Sequence, residues 1–140
     1  MDHRVATAAA PAIAGDDTLT VRAAVYRLLR AFGMTTVFGN PGSTELPLFM
    51  DFPKDFRYVL GLQKCVVVGM ADGYAQATHN AAFVNLHSAA GVGHAMDNIF
   101  TAYRNQTPLL ITAGQQARAL SCPSSRSPGP RRRRSWPSPT

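Results

Sequence analysis

Apolar and polar positions show no regular spacing before Thr20 and become periodic after it. In residues 20–33, Val21, Val25, Leu28, Leu29 and Phe32 recur at helical intervals, which predicts a helix with one apolar face. Thr20 can cap the start of that helix and Gly33 its end. The run "TTVFG" is β-branched and aromatic, predicting a strand that leads directly into the turn-rich "NPGSTE". "LPLFMDF" reads as a short helix and "FRYVLGL" as a second strand. Residues 64–78 read as a helix with small residues on part of its surface. "AAFVNLH" reads as a third strand, "SAAGVG" as a loop, residues 94–105 as a helix and "PLLITAG" as a fourth strand.

Four alternations of strand and helix with short connections predict an α/β fold, a parallel sheet covered by helices on both faces. The strands are short apolar runs rather than strict alternators, as expected of strands buried on both sides. A chain of 140 residues is about one domain, and no repeat of 20–50 residues is visible.

The pattern stops after Leu120. The last twenty residues hold six Ser, five Pro and five Arg, with no acid and no periodicity, and read as a disordered tail. Its four adjacent arginines, 131–134, could contact phosphates. The same composition is what GC-rich coding DNA yields in a shifted reading frame, and the α/β pattern breaks off one strand into a βα unit. Both readings stand, and the second makes this a truncated domain. The net charge of +6 belongs to that tail, because without its five arginines nine basic residues face eight acidic ones. The first 17 residues resemble a signal peptide only weakly, since Asp2 and Pro11 interrupt the pattern, and read as a disordered extension. Cys65 and Cys122 lie far apart without metal-ligand spacing, which favours a reduced, cytoplasmic setting. No apolar run reaches the roughly 18 residues of a membrane span.

In parallel sheets ligands bind beyond the carboxyl ends of the strands, and three such loops carry candidate chemistry. The first strand leads to Ser43 and Glu45, the third to His87 and Ser88, the fourth to Gln115 and Gln116. Ser43 and Glu45 could equally be a helix start with Ser43 as cap, and His87 a structural histidine. "GVGHAM" lacks the third glycine of a dinucleotide loop, and no phosphate-binding Gly-Lys-Ser/Thr loop or metal cluster is present. A Ser/His/Asp set can be assembled, but Ser43 lies in no nucleophile elbow.

Taken together, "VFGNPGSTELPLF", "FRYVLGLQKCVVVGMADGYAQAT", "AFVNLHSAAGVGHAMDNI" and "PLLITAGQQARA" are more specific. They resemble the N-terminal pyrimidine-binding domain of thiamine-diphosphate-dependent enzymes, and within that family the benzoylformate decarboxylases, over residues 18–120. The resemblance implies three α/β domains in the parent enzymes and homodimers or homotetramers. It implies thiamine diphosphate with Mg2+ as cofactor, and a small 2-oxo acid that loses carbon dioxide because the thiazolium ring accepts its electrons. Acetolactate-synthase-like chemistry, a non-catalytic fragment pairing with a full-length homologue, and a basic-tailed nucleic-acid binder are the alternatives.

The resemblance also implies residue roles. Ser43 would contact the substrate carboxylate, and His87 would orient substrate and transfer protons. Pro41, Gly42 and Gln115 would touch the cofactor, and "GVGHAMDNI" would pack at a dimer contact. The glutamate that shares a proton with the cofactor's pyrimidine should stand eight residues before Asp72, where the chain has Lys64. An ammonium offers donors and no acceptor, so Lys64 removes the activating step unless the alignment or the sequence itself is displaced. Neither neighbour, Gln63 nor Cys65, is acidic, so a small shift of register does not restore it. The diphosphate and Mg2+ motif, a Gly-Asp-Gly with a downstream Asn, is absent, which implies negligible cofactor affinity and no decarboxylation for these 140 residues alone.

Overall fold

The computed structural model describes residues 19–115. The extensions expected at 1–17 and 121–140, the boundary at 120, Gln116 and Cys122 lie outside the described residues.

Helix α1 (Val21–Ala31) starts where the capping signal placed it, the Thr20 hydroxyl accepting the Ala23 N–H at 3.2 Å. It closes through Gly33, whose φ of +67° lets the Gly33 N–H reach the Arg30 carbonyl at 3.0 Å and the Met34 N–H reach Leu29 at 2.8 Å. The buried face differs from the expected one. Tyr26 and Leu29 are buried, whereas Val21 is 81 % exposed, Leu28 47 % and Phe32 41 %. Tyr26 takes the central place because its ring packs edge-on to Phe56, centroids 5.0 Å apart, while its hydroxyl donates to the Leu48 carbonyl at 2.9 Å.

Four parallel strands follow: β1 (Thr36–Asn40), β2 (Arg57–Leu60), β3 (Ala82–Leu86) and β4 (Leu109–Ala113). They lie in the order β2-β1-β3-β4. A 3-10 turn, Ser43–Glu45, and α2 (Leu46–Phe49) link β1 towards β2, and α3 (Lys64–Thr78) crosses from β2 to β3. Successive strand residues feed opposite faces of the sheet. Val37 and Phe83 pack with Tyr26, Leu29 and Phe56, whereas Phe38 and Val84 pack with Val67, Val68, Ala71 and Ala75 of α3. Helices therefore cover both faces, and β3 is buried along its whole length. The expected α/β fold with a parallel sheet is the observed one.

One expected loop is a helix. Residues 88–93, read as irregular for their glycines, belong to α4 (Ser88–His94), and the helix expected over 94–105 begins only after Ala95, as α5 (Met96–Arg104). The glycines that lower helix propensity do not prevent a helix here. Gly91 is buried, and a Cβ there would sit 3.7 Å from Leu86 Cβ and 3.6 Å from the Lys64 stem. Tertiary contact overrides the local preference.

Phe83→Ala should lower the unfolding free energy by about 3–5 kcal/mol, and Val21→Ala by less than about 0.5 kcal/mol, both read from urea denaturation. Equal losses would show that α1 buries the face its periodicity predicts.

Candidate functional site

The chain lays β2 outside β1 and then crosses back to place β3 on the other side of β1. Loops leaving β1 and β3 thus diverge, and the crevice between them is where a doubly wound sheet binds ligands. Asn40 is in register with Leu86, and Leu86 with Ala113, so the three loops leave the sheet at one level.

At the centre of that crevice is Glu45, 2 % exposed. Its Oε2 accepts the Gly42 N–H at 2.7 Å and lies 2.8 Å from His87 Nδ1. Its Oε1 accepts the Thr44 hydroxyl at 2.6 Å and the Gly114 N–H at 3.0 Å. Thr44 Oγ1 also lies 3.1 Å from His87 Nδ1. Burial by itself would raise the carboxyl's pKa. The bonds from Thr44, Gly42 and His87, with the histidine's charge, outweigh it and hold the group below its ordinary 4.5. Tyr58 lies near the same charge, its hydroxyl buried without a partner; burial first, then Glu45, pushes its pKa up to about 12.

Two glycines make room for this arrangement. A Cβ on Gly42 would collide with the His87 ring, and one on Gly114 with Glu45 Oε1 and Thr44.

The residues expected to carry chemistry gather at this end of the sheet. His87 follows β3 with its side chain 30 % exposed. Ser43 opens the 3-10 turn, exposed, and caps nothing; the N-cap position is Gly42. The two residues do start a helix, the 3-10 turn that runs into α2, but the cap is Gly42 rather than Ser43, and the Glu45 carboxylate that accepts the Gly42 N–H also ties three loops together. Pro41 and Gln115 are exposed at the loop margins, and Gly42 offers its N–H to Glu45. Lys64 is the first residue of α3, half-buried, its Nζ donating to Asn40 Oδ1, while Asn40 Nδ2 donates to the Gly61 carbonyl at 2.6 Å. An open cleft of about 450 Å3 runs past it, lined by Leu62, Gln63, Lys64, Cys65 and His94.

Asn40, Thr44 and Tyr58 were not singled out by sequence reasoning. The signal for Thr44 and Glu45 was a Thr-Glu pair one step from the "PGS" turn. Nothing local marks Asn40 or Tyr58. The "DGYA" stretch, by contrast, anchors structure away from the crevice. Hydrogen bonding, from Thr107 first and then Gln76 and Asn105, depresses the Asp72 carboxyl, and Gln76 Nε2, which donates to Asp72 at 2.9 Å and to Thr107 at 3.3 Å, ties α3 to the segment that enters β4. A second cavity of about 500 Å3, at Tyr103, Arg104, Gln106 and Thr107, lies beside that segment. Among the described residues no His/Cys/Asp/Glu group could hold a metal, and no helix is long and apolar enough to cross a membrane.

Residues 19–126 match the family described as thiamine pyrophosphate enzyme, N-terminal TPP binding domain. The chain is 58 % identical over 101 residues to benzoylformate decarboxylase of Pseudomonas aeruginosa, covering 72 % of this chain and 19 % of that protein. It is 35 % identical over 98 residues to the acetolactate synthase isozyme 3 large subunit of Escherichia coli, covering 69 % and 17 %. Its fold superposes with a TM-score of 0.70 on the thiamine diphosphate-dependent 4-hydroxybenzoylformate decarboxylase of Rhodococcus jostii, at 53 % identity, over 72 % of this chain and 19 % of that one. The chain thus spans about a fifth of the length of the relatives it matches.

A carboxyl held below its ordinary pKa contributes stability that is complete above that ordinary value and lost as pH falls through the lowered one. Thr44→Val removes a neutral donor to the charged carboxylate and should cost roughly 1.5–3 kcal/mol at neutral pH. In strongly acid solution, where Glu45 is protonated, variant and wild type should converge in urea stability. A constant difference across pH would show that the hydroxyl does not act through the carboxylate.

Proposed function

We propose, for a chain that belongs to the thiamine pyrophosphate enzyme family and carries its N-terminal TPP-binding domain, that it is the substrate-facing side of a 2-oxo acid decarboxylase site of the benzoylformate decarboxylase type, without turnover of its own. The observation that carries this reading is the meeting of the β1 loop and His87 at the crevice between β1 and β3. The match to benzoylformate decarboxylase supports it.

In this reading the exposed Ser43 hydroxyl binds the carboxylate of the 2-oxo acid, and His87 orients the keto group and moves its proton. Pro41, Gly42 and Gln115 are the proposed contacts of the cofactor's pyrimidine. The cofactor supplies an electron sink when bound, and its activation asks for a carboxyl at the head of α3. The donor set there does not fit, because the Lys64 ammonium has no acceptor and is already bonded to Asn40. Mg2+ and the diphosphate lie outside the contacts proposed for this chain.

A second reading, a non-catalytic partner of a full-length homologue, is favoured by α5. Met96, Phe100 and Tyr103, spaced along one helical face, are 51 %, 61 % and 76 % exposed. Co-purification of the tagged chain with a co-expressed full-length homologue tests it, and a chain that elutes alone argues against pairing.

Calorimetric titration of the 140-residue chain with thiamine diphosphate and Mg2+ should give no binding in the micromolar range, and a micromolar Kd overturns the proposal. Replacing the corresponding segment of a full-length benzoylformate decarboxylase by residues 19–115 of this chain should abolish its decarboxylation. Lys64→Glu in that chimera should then restore it by at least about 100-fold, the low end of general acid–base effects. An active chimera, or one that Lys64→Glu leaves silent, contradicts the role given to position 64.

A further inference from the structure

The donors around Glu45 decide which nitrogen of His87 carries the proton. A carboxylate only accepts, with about two bonds to each oxygen. Oε1 takes Thr44 and Gly114, and Oε2 takes Gly42 and His87, so all four places are filled. At 2.8 Å from an ionised oxygen, His87 Nδ1 must be the donor. Thr44 gives the same answer independently. Its single hydroxyl proton goes to Glu45 Oε1 at 2.6 Å, so the oxygen it turns to Nδ1 at 3.1 Å can only accept. A Cβ on Gly42 would collide with the Nδ1 edge of the ring, so the glycine is what lets the ring lie against the β1 loop. Nδ1 is therefore N–H, and Nε2, on the far side of a ring that is 30 % exposed, carries the lone pair.

The geometry assigns Glu45 as the positioning residue that holds His87 in its Nδ1–H form, with Nε2 presented outward to take a proton from, and return it to, a substrate group bound in the crevice. This deepens the proposed function and rests on His87 facing substrate. The step balances. The Nε2 lone pair takes the substrate proton, the electron pair of the broken O–H or C–H bond stays on the substrate, and the imidazolium so formed faces the Glu45 carboxylate. Return of the proton reverses it.

Neither cofactor nor substrate is needed to test this, so its failure is separable from failure of the thiamine reading. In the full chain labelled with 15N-histidine, at a pH where the ring is neutral, long-range 1H–15N correlation should show His87 Nδ1 as the protonated nitrogen and Nε2 as the bare one. A protonated Nε2 in the wild-type chain overturns the assignment without any variant. In Glu45→Gln, one donor too many meets the amide, and the ring proton should move to Nε2. In Thr44→Val, with the carboxylate retained, it should stay on Nδ1. If Glu45→Gln loses stability yet leaves the tautomer unchanged, Glu45 only braces the loops and the assignment is wrong. If Glu45→Gln fails to fold, the wild-type spectrum and Thr44→Val decide alone.

Discussion

Everything at the carboxyl ends of the strands depends on one buried carboxylate having enough donors. Taking an ion out of water costs several kcal/mol unless hydrogen bonds replace the lost hydration. Glu45 recovers it from Gly42, Thr44, His87 and Gly114. Those residues leave β1, β3 and β4, so the charge can be buried only when all three strands are in register. The register that assembles the sheet therefore also assembles the site.

The sheet supplies that register by the ordinary means of a doubly wound fold. Val37 and Phe83 are buried on the α1 face, Phe38 and Val84 on the α3 face. A slip of one residue would exchange the two sets. Backbone spacing then decides which side chains can enter the crevice. Gly42 and Gly114 are small because a His87 ring and a Glu45 oxygen occupy the places their Cβ atoms would take.

Lys64 sits uneasily in the same arrangement. It places a cation in the first turn of α3, a turn with no acid, where the helix dipole favours negative charge. The helix forms nonetheless, because Val67, Val68, Ala71 and Ala75 are buried beneath it and Asn40 takes the ammonium. Packing on the sheet outweighs an unfavourable end charge.

Much of this was present in the order of residues. Strand runs, their short connections and the span of α3 follow from periodicity, because burial on two faces and on one helical face leaves a repeating mark. Thr20, Gly33, His87 and the "NPGS" turn are legible too, since caps and turns are local chemistry. The buried side of α1, the helix over residues 88–94 and the role of Glu45 are not. Tyr26 displaces Val21 and Leu28 because an aromatic cluster lies opposite it, and Gly91 is buried within a helix where its local preference reads as a loop. Glu45 is legible as a candidate beside a turn, but its burial is not, because Gly114, 69 positions further on, brings it a fourth donor. Local order in the chain determined the elements and where their ends lie. Contacts between positions far apart determined which polar group is buried and which way a histidine proton points, because donors and acceptors meet only after the strands have paired.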